Sequence, residues 1–166
     1  LAMAEELARL GFDEIQFDYI RFPEPYASLP QQVFPRAEGR SKPQALAEFL
    51  NLARARLKPL GVRTTADVFG LTATARGTLE VGQNWEKLSP AVDVILPMVY
   101  PSHYPKGAFG IAHPNADPYA IVKAAMDTAA QRDWDIKLQR PEHVRPWLQA
   151  FTLGKPAYGA DQLMAQ

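Results

Sequence analysis

The chain has 166 residues, 47% of them hydrophobic and 22% charged, the length and apolar content of one ordinary folded domain rather than a disordered tail. Its 18 Lys and Arg balance 18 Asp and Glu, so no basic field exists to hold a phosphate backbone and nucleic acid is not an expected partner. The absence of cysteine excludes disulfides, thiolate metal sites and a Cys nucleophile, and leaves the compartment open.

Met3, Leu7 and Leu10 stand at helical spacing, and Gly11 follows where a helix cap would sit. The acidic start Leu1-Ala2-Met3-Ala4-Glu5-Glu6 is unlike a signal peptide, and no stretch reaches the roughly 20 apolar residues of a membrane span. Because the first residue is not Met, the chain reads as a piece of a longer one, with any targeting segment upstream. Ile15 to Ile20, rich in β-branched and aromatic residues and stopped by Pro23 and Pro25, predicts a first strand. A loop of about fifteen to twenty residues comes next, long enough to suggest function. Ser41 can cap a second helix that carries Leu46, Phe49, Leu50, Ala53, Leu57 and Leu60 on one side and ends at Gly61.

Val62 to Phe69 predicts the second strand, and Gly70 opens another loop, with a helical turn at Trp85 to Leu88. The third strand is Val94-Ile95-Leu96, running through Pro97 towards Tyr100 and irregular at its far end. Asp117-Pro118 is a helix start, with Tyr119, Val122, Met126 and Ala129 continuing it. A fourth strand is expected within Val144 to Phe151, and Asp161 to Gln166 reads as a first helical turn.

Strands alternating with amphipathic helices predict an α/β fold with a parallel sheet and right-handed crossovers. No G-x-G-x-x-G or Walker loop follows any strand, which weakens the nucleotide-binding alternative and leaves a (β/α)₈ barrel. Such a barrel needs eight units in ~250 residues, so four strands make about half of one, with the remainder mostly upstream. Exposed strand edges then invite self-association.

Polar side chains inside a parallel strand call for a reason, since both faces are normally covered. Gln16 and Asp18 share one face; Ile15, Phe17 and Tyr19 share the other, which suits packing on helices. Asp18 is thereby expected to face the barrel axis at the strand's carboxyl end, where barrel enzymes keep their sites. The alternative is an ion pair with Arg21. Asp67, in Thr64-Thr65-Ala66-Asp67-Val68-Phe69-Gly70, repeats the placement, with a loop-capping role as its alternative. On neighbouring strands ~4.8 Å apart, the two carboxylates could approach the roughly 5 Å separation of retaining glycosidases. One would attack or stabilise the anomeric carbon, and the other, desolvated, would protonate the leaving oxygen.

Tyr100, His103 and Tyr104 offer flat faces and hydrogen-bonding tips suited to sugar rings, as well as ordinary core material. Trp147 and Gln149 could bind a hydroxyl-rich ligand, with packing the alternative for Trp147. Arg21 and Glu24 lie in the first loop as ligand contacts or as loop charges. His103, His113 and His143 lack any metal-binding spacing, and no G-x-S-x-G elbow is present. Neither a metal nor an organic cofactor is expected.

Four ordered segments, Phe17-Asp18-Tyr19-Ile20-Arg21-Phe22-Pro23, Ala66-Asp67-Val68-Phe69-Gly70, Leu96-Pro97-Met98-Val99-Tyr100-Pro101-Ser102-His103-Tyr104 and Arg145-Pro146-Trp147-Leu148-Gln149, resemble the glycoside-hydrolase domain family DUF4015. The resemblance spans nearly the whole chain, 1–166, as one partial barrel domain. It implies a TIM barrel in which Asp18 closes the fourth strand and Asp67 the fifth, with the Tyr100 and Trp147 segments as strands six and seven. By analogy with amylase-like enzymes, it implies Asp18 as nucleophile and Asp67 as acid/base, a carbohydrate substrate, and a place outside the cytoplasm or in the cell envelope. Where the family pattern often has acidic residues, Ala150 and Asn84 stand instead, which leaves room for two rivals: an inactive carbohydrate-binding barrel, and a purely structural module.

Overall fold

The computed structural model describes residues 1–166 apart from Leu29, Gln31 and Pro141. Helix α1 (Ala2–Arg9) leads into strand β1 (Glu14–Phe17). Helix α2 (Lys42–Leu57) begins at a capping box: the Ser41 hydroxyl accepts from the Gln44 amide, and the Gln44 side chain accepts from the Ser41 amide at 2.8 Å. A 3₁₀ turn (Lys58–Leu60) ends it, closed by Gly61 in the left-handed region at φ 77°. Strand β2 (Arg63–Phe69) runs directly into α3 (Gly70–Thr74). After α4 (Trp85–Leu88) come β3 (Val94–Val99), α5 (Pro118–Asp135), β4 (Trp147–Leu148) and α6 (Ala160–Met164).

The four strands form one sheet in the order β1-β2-β3-β4, every neighbouring pair parallel. This is a half-barrel sheet, consistent with part of a TIM-like barrel. Helices cover its convex side. Ala66 and Val68 of β2 and Ile95 of β3 pack there on Leu46 and Leu50 of α2, Trp85 and Leu88 of α4, and Ala129 of α5. A second cluster joins Val99 and Tyr104 to Ile121, Val122 and Ala125 of α5. Each aliphatic side chain buried in this way contributes about 1.5–3 kcal/mol. Among the described residues no helix is long and apolar enough to cross a membrane.

Three elements differ from their sequence expectation. The first strand stops at Phe17 rather than Ile20: the Asp18 carboxylate accepts from the Tyr19 amide at 2.7 Å, Tyr19 takes φ 51°, and the Arg21 amide folds back onto the Tyr19 carbonyl at 2.7 Å. That local turn competes with the sheet ladder. It also leaves Tyr19 75% exposed, not packed with Ile15 and Phe17 against helices. The fourth strand shrinks from the expected Val144 to Phe151 to two residues plus an isolated bridge between Ile95 and Val144, because Pro146 has no amide proton to give to the ladder. Gly70, expected to open a loop, instead starts α3.

The segment before β4 is anchored by buried polar groups. Asp133 of α5 accepts from the Trp85 indole at 2.8 Å and the Ser89 hydroxyl at 2.7 Å, and Ser89 Oγ lies 3.0 Å from His143 Nε2. His143 Nδ1 faces the Asp93 carbonyl at 2.8 Å, so it must carry a proton and donate. The His143 carbonyl then accepts from the Ile95 amide, which ties this network to the sheet.

Candidate functional site

Alternation puts Glu14 and Gln16 of β1, Arg63, Thr65 and Asp67 of β2, and Met98 of β3 on the concave face. The register pairs Phe17 with Ala66 and Asp67 with Leu96, so Asp18, one residue beyond β1, stands level with Asp67. At the lower end Glu14 bridges Arg63, 3.0 Å away, and Arg145, which reaches across from the approach to β4. Higher up, Asp67 is the hub. Gln16 Nε2 donates to its Oδ2 at 2.7 Å, and the Trp147 indole donates to its Oδ1 at 2.9 Å.

Asp67 is 5% exposed. Burial pushes its pKa above the ordinary carboxylate value; the donors Trp147 and Gln16 pull the other way, and the neighbouring Asp18 charge raises it further, with the net direction up. Asp18 is exposed. The Tyr100 phenol is pushed up by burial and by the charges of Asp67 and Asp18, which places all three groups within electrostatic reach of one another. A carboxyl inclined to hold a proton beside a second, solvated carboxylate is the arrangement from which acid–base chemistry is built.

Next to the pair, a cavity of about 270 Å³ is lined by Phe69, Gly70, Leu71, Met98, Tyr100, His103 and Tyr104. Tyr104 is buried and its pKa is pushed up to about 12, first by burial. Among the described residues its hydroxyl makes no hydrogen bond, although Thr74 stands close enough to pull the pKa down. A second hollow, about 330 Å³, lies along the β1–α2 loop between Tyr19, Arg21, Glu24 and Tyr26. Arg21 pairs with Glu24 at 3.7 Å, not with Asp18, and its guanidinium sits 5.5 Å from the Tyr19 ring and 5.6 Å from the Phe69 ring. Among the described residues, those that line the larger hollow of about 460 Å³ around Phe22, Phe34, Arg36 and Lys42 include no carboxylate.

Of the residues singled out from sequence, the structure brings Asp18, Asp67, Tyr100 and Trp147 together, with His103, Tyr104 and Arg21 around them. Gln149 stands apart. It is 0% exposed, and its side chain is already spent: Oε1 accepts from the Ser102 amide at 3.0 Å, and Nε2 donates to the Phe151 carbonyl at 2.9 Å. Asn84, where an acidic residue was expected, caps α4 by accepting from the Lys87 amide at 3.1 Å. Gln16 went unassigned in the sequence, although a polar side chain on Asp18's face of a strand was the available signal. Phe69, Met98 and Phe151 gave none. Among the described residues no group of three or more His, Cys, Asp or Glu side chains could hold a metal ion.

A family model, DUF4015, described as "Putative glycosyl hydrolase domain", matches residues 1–166. No curated protein and no solved structure matches the chain.

Proposed function

The chain belongs to the DUF4015 family of glycosyl hydrolase domains, and on that premise we propose that it hydrolyses O-glycosidic bonds of an oligosaccharide or polysaccharide with Asp67 and Asp18 as its two carboxylates. The observation that carries this reading is the buried Asp67 carboxyl, its pKa raised, beside the exposed Asp18 at the open end of the concave face. Protonated Asp67 gives its proton to the glycosidic oxygen as the C–O bond breaks. Asp18, charged and solvated, attacks or stabilises the anomeric carbon, and water then adds there while the Asp67 carboxylate takes up a proton. Neighbouring parallel strands at ~4.8 Å suit the short carboxylate spacing of retaining enzymes more than the ~6.5–9.5 Å of inverting ones. The aromatic cavity beside Tyr100 and the Arg21 hollow would hold the sugar, with Arg21, Tyr100, His103, Tyr104 and Trp147 as its contacts. The open edges of β1 and β4 are where further strands would complete an eight-stranded barrel, this sheet supplying the fourth to seventh.

Turnover on a panel of glycans tests the proposal. Asp18→Asn and Asp67→Asn are each expected to lower kcat/KM by about 10²–10⁴-fold; full activity in either variant would overturn the assignment. Asn84 and Ala150, in place of the acidic residues expected there, favour a second reading, a barrel that binds carbohydrate without cleaving it. It predicts binding without turnover, indifferent to Asp18→Asn.

A further inference from the structure

Phe151 leaves a large apolar ring 42% exposed at the rim of the site. The ring is not loose. Its edge meets Tyr100 at 5.1 Å and 81°, and His103 at 6.0 Å and 90°, while Tyr100 and His103 meet each other at 5.4 Å. These are edge-to-face contacts of the favourable kind, and they leave the remaining surface of Phe151 to solvent.

What fixes the ring in place is Gln149. Its Nε2 holds the Phe151 carbonyl and its Oε1 holds the Ser102 amide, so one buried amide joins the segment after β4 to the loop that carries Tyr100 and His103. Gln149 is itself clamped at its backbone: its amide donates to Gln166 Oε1, and its carbonyl accepts from Gln166 Nε2, both at 2.8 Å. A fully buried, fully bonded side chain is thus committed to holding an exposed aromatic ring against Tyr100, whose phenol feels the charge of both carboxylates.

Resting on the hydrolase reading, we infer that Phe151 is a stacking platform for the sugar ring next to the one that reacts, with Gln149 as the residue that positions it. A pyranose shows an apolar C–H face and a hydroxylated edge, and a pre-fixed aromatic ring meets that face without losing side-chain entropy. The substrate class follows: a chain of at least two sugar rings, with a single-ring glycoside filling only part of the site.

Isothermal titration of the full chain with one- to four-ring oligomers of α-1,4-glucose, β-1,4-glucose and β-1,4-N-acetylglucosamine tests this. In the series that binds, Kd is expected to fall about tenfold from one ring to two. Phe151→Ala should abolish that gain and leave the single-ring Kd within about twofold. Gln149→Met should do the same, a split that general loosening of the fold would not produce, and Trp134→Ala, a remote exposed aromatic, should leave both values unchanged. A two-ring gain that survives Phe151→Ala overturns the platform alone. Absence of binding at every length and in every series overturns the hydrolase reading with it.

Discussion

The Trp147 indole N–H donates to Asp67 Oδ1 at 2.9 Å, although the two residues are 80 positions apart in sequence and β3 lies between their strands. The bond crosses the concave face, so the fold brings one of the groups that bear on the Asp67 pKa from two strands away. With Gln16 on the other oxygen, Asp67 is under two opposed influences: burial and Asp18 favour the neutral acid, while the two donors favour the carboxylate.

Trp147→Phe keeps the ring and removes the donor, and is expected to raise the Asp67 pKa further; Gln16→Met should act in the same direction. Asp18→Asn should lower it, because a neighbouring negative charge is lost. The Asp67 carboxyl ¹³C shift followed across pH reads these directions. In the active enzyme the basic limb of the pH–rate profile should move upward in the first two variants. A downward move in Trp147→Phe would show that the indole does not hold the charged form.

Asp67 also makes stability depend on pH. Its folded pKa lies above the unfolded value, so between the two the folded state holds a proton that the unfolded state has released. Its contribution to stability is therefore fully present below the unfolded pKa and is lost as pH rises through the folded one. Asp67→Asn has no such loss, and its stability relative to the native chain should improve from acid pH to neutrality and then level off. Urea denaturation at a series of pH values measures this; a difference that is constant with pH would contradict it.

The Asp133, Ser89, Trp85 and His143 network is expected to be worth more than surface pairs. Ser89→Ala takes one of two donors from the Asp133 oxygen and leaves the buried His143 Nε2 without its Ser89 partner, and should destabilise by about 1–3 kcal/mol in equilibrium unfolding. The double variant with Trp85→Phe should fall short of the sum or exceed it, since both side chains bond the same Asp133 oxygen.

Gly70→Ala should be damaging despite normal backbone angles. A Cβ there would stand 2.3 Å from the Met98 carbonyl oxygen and 3.0 Å from the Tyr104 hydroxyl. Backbone cannot step aside as a flexible side chain does, so a loss of about 1–3 kcal/mol is expected, together with weakened ligand binding, because Gly70, Met98 and Tyr104 all line the aromatic cavity.

The alternation of strand and helix was legible because it rests on short-range patterns: the run from Ile15, the Ser41 cap, the apolar side of α2 and the Asp117-Pro118 start all fell where their residues indicated. Boundaries failed where a side chain captured its own backbone, as Asp18 does with Tyr19, or where a proline broke the ladder, as Pro146 does. Gln149 shows a different limit. Its polarity suggested a ligand contact, yet Ser102 and Phe151 take up its hydrogen-bonding groups, and nothing near it in sequence announces Ser102, 47 positions away.

The sequence by itself determined that Asp18 and Asp67 each stand near the carboxyl end of a strand segment, because residue alternation and turn-forming residues act over a few positions. Only the tertiary structure decided that Asp67 is buried under Trp147 and Gln16 while Asp18 stays in water. Desolvation and long-range hydrogen bonds depend on how the sheet curves and what it brings across its concave face, and that geometry is fixed by helix packing on the opposite side, not by the residues flanking either aspartate.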